Sequence, residues 1–245
     1  EVLIVNDGTP DRSIDVIRDL LTDPRVIVIN QHNQGLSAAR NTGLENASGR
    51  YVSFIDSDDK VKPRFIEDLV TEAQNTGADI VRGNFRDFEG KIPEGWIADF
   101  DILPMEGTKA LNKFLQKNVS FVVWSSLYSR SFLEANNLRF TNGILLEDGD
   151  FTARAYMAAD TVATVSIPNY QYRIRPGSIL TTNNAQRMSD SESVVILKFL
   201  NMYHTTKNRK VKYQIRNSIY AFMRDWTRIL VKNNVKIDLD KSGFN

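Results

Sequence analysis

Residues 33–59 read NQGLSAARNTGLENASGRYVSFIDSDD. The stretch opens as a polar loop with Gly35, continues as a helix from about Ser37, stops at Gly49 and resumes as an apolar strand, YVSFID. Three carboxylates then arrive within four residues: Asp56, Asp58 and Asp59. Carboxylates this close repel one another, so they need a positive charge to share. A helix feeding a buried strand that ends in acids is a unit of an α/β sheet with ligand groups at the strand's carboxyl end.

The flanking sequence repeats the alternation. Val2–Asn6 is a short apolar run ending in the turn formers NDGTPDRS, and Ile14, Ile17, Leu20 and Leu21 give Ser13–Leu21 a helical spacing. VIVIN (26–30) is a second strand, Pro63 opens a helix running to Gly77, and DIVRGNF (79–85) is a fourth strand. Near-continuous apolar strands separated by helices predict an α/β fold with a mostly parallel sheet flanked by helices. Ligands bind beyond the carboxyl ends of such strands, so Asp7 should meet Asp56, Asp58 and Asp59 along one edge.

Residues 88–103 have no period and read as loop; Gly107–Asn118 is a helix with Ala110, Leu111, Phe114 and Leu115 on one side. VSFVVWSSLYS (119–129) reads mostly as buried strand, Ser131 caps a short helix FLEANN, TVATVSIP is another strand, and from Asp190 the chain is helical. These divisions predict a catalytic unit over 1–185 and a helical extension over 186–245.

Of the 245 residues, 42% are apolar and 25% charged, with a net charge of +1. That is an ordinary globular composition without a global field for nucleic acid. The absence of Cys excludes disulfides and cysteine zinc sites and points to a reducing cytoplasm. His32 and His204 are too far apart in sequence to suggest a histidine metal site. No apolar run approaches the roughly 20 residues that span a bilayer.

Four constellations carry chemistry. The D-x-D pair Asp56 and Asp58 offers hard oxygen ligands to Mg²⁺ or Mn²⁺, which keep several waters and share substrate phosphates; the plain alternative is a solvated helix cap. LLEDGDF (145–151) brings Glu147, Asp148 and Asp150, suited to a general base or to the N-cap of a helix over 151–157. In YQYRIRPGSI (170–179), Arg173 and Arg175 alternate along an extended segment, so one side could hold a diphosphate or simply face solvent. Arg40 lies inside the first helix turns of NQGLSAARN, on the edge where a nucleotide would sit.

In order, VNDGTPDRS, NQGLSAARNTGLENASGRYVSFIDSDD, W…LY, LLEDGDF and YQYRIRPGSI resemble the family 2 glycosyltransferases with the Rossmann-like GT-A fold. The resemblance covers about residues 1–182. It implies inverting transfer of a sugar from a nucleoside-diphosphate donor, most often a UDP-sugar, to a hydroxyl of a glycan or lipid-linked acceptor. By that resemblance Asp7 hydrogen-bonds the base, Arg40 sits beside the base or phosphates, and Asp56 contacts the ribose and reaches the metal. Asp58 is the direct ligand of Mn²⁺ or Mg²⁺, Asp148 the base, Glu147 the residue orienting the acceptor, and Arg173 and Arg175 approach the diphosphate. Asp59 is expected to support the metal loop or cap a helix.

Two departures stand out. The family normally starts with one more strand, carrying a P-x-Y-N-like motif, and a helix; neither precedes Glu1, and a segment of about thirty residues is expected to be missing. Relatives often have Lys two residues after the Trp, where Ser126 stands here.

From Thr205 to Lys236 there are nine basic residues (Lys207, Arg209, Lys210, Lys212, Arg216, Arg224, Arg228, Lys232 and Lys236) and one acid, Asp225. Ile215, Ile219, Phe222, Trp226 and Ile229 form one helical stripe. The preferred reading packs that stripe on the catalytic unit or on a second subunit, as in a homodimer; the other lays the helix on an anionic membrane at the inner face. Two further function classes compete with this one. A haloacid-dehalogenase-type phosphatase also has D-x-D after a strand, but DSDDKV lacks the following Gly-Thr. A degenerate nucleotide-sugar binder without transfer activity would account for both departures.

Overall fold

The computed structural model describes residues 1–178 and 184–235. Its strands fall into two sheets. β1 (Val2–Asn6) and β2 (Val26–Asn30) pair in parallel, in register from Val2 opposite Val26 to Asn6 opposite Asn30. The larger sheet contains β3 (Tyr51–Ser53), β4 (Lys60–Val61), β5 (Ile80–Asp87), β6 (Ser126–Ser129) and β7 (Val162–Tyr172), in the order β3–β6–β5–β7–β4. β5 and β7 are parallel; β6 is antiparallel to β3 and β5, and β4 to β7. β3, β5 and β7 therefore share one direction, but the ladders are mixed rather than mostly parallel. An antiparallel strand needs no crossover helix to return beside its neighbour, so β6 slots between two strands that run the other way.

The helices are α1 (Ser13–Val16), α2 (Leu36–Asn46), α3 (Phe65–Thr76), α4 (Gly107–Gln116), α5 (Arg130–Ala135), α6 (Glu147–Ala158), α7 (Ala185–Thr205) and α8 (Arg209–Asn233). The helix expected over 13–21 breaks into α1 and a 3₁₀ turn, Arg18–Thr22. None of its apolar residues is buried, and a short helix without a packed face is marginal. The strand expected over 119–129 shrinks to β6, because the chain turns before it, with Ser126 N–H on Val123 O. Ser129, not Ser131, caps α5, accepting from Phe132 N–H. α6 begins at Glu147 rather than 151, so the acids form its first turn, where the helix dipole favours negative charge.

The larger sheet is buried on both faces. Along β5, Ile80 joins a cluster with Phe54, Tyr128, Phe151 and Val162, while Val81 joins one with Phe65, Phe85, Trp124 and Tyr170. The first cluster takes in α7 and α8 through Val195, Phe199, Ile215, Ile219 and Phe222. The apolar stripe of α8 thus packs into the core of the α/β part of the chain, and Trp226 Nε1–H donates to Ser189 of α7. Among the described residues no helix is long and apolar enough to cross a membrane. Ile179 of the arginine segment, the last residues of the resemblance (180–182), Lys236 and the rest of the extension lie outside the described residues.

Candidate active site

The two acidic runs meet across a cleft of about 840 Å³. One comes from the loop after β3, the other from the first turn of α6. Arg40, on the inner side of α2, joins them. Its Nη2 donates to Asp56 at 2.9 Å, and its Nη1 to Glu147 and Asp148, each at 2.7 Å. The Arg40 side chain is only 7% exposed. Burial opposes its charge, but Asp148, Asp56 and Glu147 together outweigh that and hold the guanidinium above its ordinary pKa.

Asp148 has a second anchor, since Val123 N–H donates to its Oδ2 at 3.2 Å. Burial pushes this carboxyl well above the ordinary range, Arg40 pulls it down, and Glu147 and Asp56 push it up again. A carboxyl so raised takes a proton at neutral pH more readily than an ordinary aspartate. Leu146, just before the acids, has φ +61°, a left-handed backbone that a branched side chain rarely adopts. That kink brings Glu147 and Asp148 onto Arg40 at the very start of the helix. Gly149 is needed next to them, because a Cβ there would lie 3.2 Å from the Phe222 ring. The third acid of the run, Asp150, is fully buried and serves structure: Arg154 and Lys198 hold it at 2.6 and 2.9 Å.

The loop run is arranged differently. Asp58 points into the cleft, 30% exposed, and pairs with Arg175 Nε at 2.5 Å. Asp59 turns away and ties the loop to the end of β7. It accepts from the Tyr170 hydroxyl at 2.6 Å and from Arg173 N–H at 2.7 Å. Burial pushes its pKa up to about 6 in spite of those bonds. Tyr170 also accepts from Asp56 N–H at 3.2 Å, so one buried phenol positions two of the three aspartates. Arg173 and Arg175 both line the cleft, as the alternation predicts.

Asp7 stands apart. It does not line the cleft; its carboxylate accepts from Gln31 Nε2 (2.7 Å), Gln34 N–H (2.9 Å) and Gly35 N–H (2.8 Å). Gly35, with φ +87°, makes the turn that aims those amides at Asp7. Ser126 is also outside the cleft, buried in β6 opposite Arg82.

Local pattern reading misses three contributors. Arg82 on β5 is fully buried and donates to Val122 O and Ser120 O at 3.4 and 3.3 Å, holding the segment whose Val123 amide reaches Asp148. Its signal is a lone charge in an apolar strand. Trp124 stacks on Tyr172 (5.4 Å, 5°) and on Tyr170 (4.4 Å, 27°), and with Trp96 gives the cleft an aromatic wall. Glu192 of α7 lines the far side.

Fold and site together define an α/β domain whose cleft holds three acids bridged by one buried arginine. The chain belongs to glycosyl transferase family 2, whose family model matches residues 1–136. It is 36% identical over 185 residues to the uncharacterized glycosyltransferase EpsJ of Bacillus subtilis, covering 73% of this chain and 54% of that protein. The chain therefore spans about half the length of that relative. Among solved structures it is similar to S. aureus TarS 1–349 in complex with UDP-GlcNAc (TM-score 0.74, 17% identity, 99% of this chain and 69% of that one). It is also similar to the mannosyltransferase PcManGT from Pyrobaculum calidifontis in complex with GDP-Man and Mn²⁺ (TM-score 0.59, 15% identity, 100% of this chain and 68% of that one). These likenesses establish the GT-A fold.

Proposed function

We propose that the protein is an inverting glycosyltransferase that moves a sugar from a nucleoside-diphosphate donor, a UDP-sugar first, to a hydroxyl of a glycan or lipid-linked acceptor. The observation that carries this is the Arg40 bridge, which sets Asp56 on the donor side against Glu147 and Asp148 on the acceptor side. Family membership supports it, and so do the UDP-GlcNAc held by TarS and the GDP-Man held by PcManGT.

Asp148 is the base. The acceptor hydroxyl attacks the anomeric carbon, its proton passes to Asp148, and the bond from that carbon to the diphosphate oxygen breaks on the opposite face. Glu147, fixed by Arg40, orients the acceptor. Arg173 and Arg175 offset charge gathering on the leaving diphosphate. Asp56 takes the ribose. Asp7 takes the base: three of its roughly four lone-pair sites are used, which leaves one for a ring N–H.

The residues also fit a divalent cation, Mn²⁺ or Mg²⁺. Among the described residues no three acids or histidines gather as a ligand set, but such ions at substrate phosphates need only one or two carboxylates. Among the described residues Asp58 is a cleft-facing carboxylate paired with the half-exposed Arg175 side chain, and Asp56 lines the same cleft. Bound there with the donor, the cation would neutralise diphosphate charge. A cytoplasmic enzyme at the inner membrane face, making surface polysaccharide or glycoconjugate, is the setting we propose; the basic outer face of α8 supports contact with anionic headgroups.

Calorimetric titration of the protein with UDP- and GDP-sugars, with and without Mn²⁺ or Mg²⁺, tests this reading. Cation-enhanced binding of one donor, followed by turnover, is the expected result. Binding without any turnover would favour the degenerate binder, and no binding would defeat both.

A further inference from the structure

The cleft runs on past the acids of α6. Its far wall is α8 together with Glu192 of α7. Glu192 is only 7% exposed, and among the described residues no donor reaches its carboxyl group; the charge acting on it is another acid, Asp225. An acid buried without a donor costs stability, which is a mark of a site kept for a ligand. On α8, Arg224 Nε and Arg228 Nη1 pair with Asp225 at 3.2 and 3.1 Å, Arg224 Nη1 donates to Asn118 Oδ1, and all three charged side chains line the cleft. Phe121 and Phe222 provide apolar surface between this wall and α6, their rings 5.9 Å apart. The wall is also tied to the acids: Ser191, next to Glu192, accepts from Leu145 N–H at 2.8 Å, two residues before Glu147.

Acceptors, donors and aromatic surface around one hollow suit a sugar ring. Its hydroxyls donate to carboxyl oxygens and accept from guanidiniums, and its C–H face lies on aromatic carbon. Glu192, Arg224 and Arg228 line the same cleft as Glu147 and Asp148. We infer that Glu192, with Arg224 and Arg228, forms the subsite for a sugar ring of the acceptor, so that the helical extension selects the acceptor. This inference rests on the transfer reading above. It makes Glu192 a specificity-determining residue, distinct from the base.

The test uses the whole protein with saturating UDP and Mn²⁺. The probes are the p-nitrophenyl glycosides of glucose, galactose, mannose and N-acetylglucosamine, with dissociation constants read by NMR titration. Glu192→Leu keeps the volume and removes both oxygens; Glu192→Gln keeps the shape and one acceptor. The expected result is that the tightest glycoside binds the Leu variant roughly tenfold or more weakly, and the Gln variant in between. The UDP dissociation constant should stay within about twofold in all three proteins, which a merely misfolded variant would not allow. Equal glycoside binding by the Leu variant and wild type would overturn the inference, as would a wild type that holds UDP but none of the four glycosides. A wild type that fails to hold UDP would overturn the transfer reading and this inference with it.

Discussion

The two acidic runs, Asp56–Asp59 and Glu147–Asp150, are alike in sequence and opposite in setting. In the loop run Asp58 pairs with Arg175 and Asp59 with Tyr170, while Asp56 takes the Nη2 arm of Arg40. Two of those acids stay open to the cleft, as groups that must exchange partners with a donor should. The helix run is packed tightly. Glu147 and Asp148 share one buried guanidinium, and Asp150 is fully enclosed by Arg154 and Lys198. Burial raises the proton affinity of Asp148, whereas Arg154 and Lys198 hold buried Asp150 below the ordinary carboxylate range. The difference teaches that residue type alone does not assign a role to a carboxylate; its desolvation and its cation do.

The largest expected effect removes what the two runs share. Arg40→Met leaves three carboxylates without their cation and should cost about 3–5 kcal/mol in a urea unfolding titration. A loss below about 1 kcal/mol would mean that the runs are independent. Next, Asp58→Asn should weaken UDP binding in Mn²⁺ roughly tenfold by calorimetry while leaving uridine binding alone, since only the diphosphate meets the cation. Equal losses for both ligands would place Asp58 at the nucleoside instead.

Tyr170→Phe is smaller, about 1 kcal/mol of stability. It removes a hydrogen bond that favours the charged form of Asp59, so the Asp59 pKa should climb above about 6 in a carboxyl NMR titration. A fall would contradict the geometry. Outside both runs, Glu192 sets a pH dependence of stability. Its folded pKa is pushed to about 8 by burial and by Asp225, against about 4.3 in an unfolded chain. The folded state therefore binds the extra proton, and stability is fully present below about pH 4.3 and lost as pH rises to about 8. Glu192→Gln should flatten that slope, raising Tm by a few degrees at pH 8.5 and by less at pH 5. An equal gain at both values would mean that the buried acid does not titrate there.

Much of this was legible in the sequence because it is local. β1 and β2 follow their apolar runs, both acidic runs sit at the starts and ends of apolar segments, and the stripe of α8 predicts its packed face. What was not legible is long-range. Arg40 reaches Glu147 across 107 residues, and nothing in SAARN marks it as the residue joining the runs. Arg82 and Glu192 read as a lone charge in a strand and a polar helical turn until packing closes around them. The mixed sheet was missed for the same reason: β6 is short, and its direction depends on where the chain returns after α4.

The base assignment is tested most directly by Asp148→Asn, which keeps the shape of the side chain and removes its proton affinity. With the donor identified by calorimetry, transfer should fall by about 10²–10⁴-fold while the donor dissociation constant changes by less than about threefold. Transfer at the wild-type rate by that variant would contradict the account.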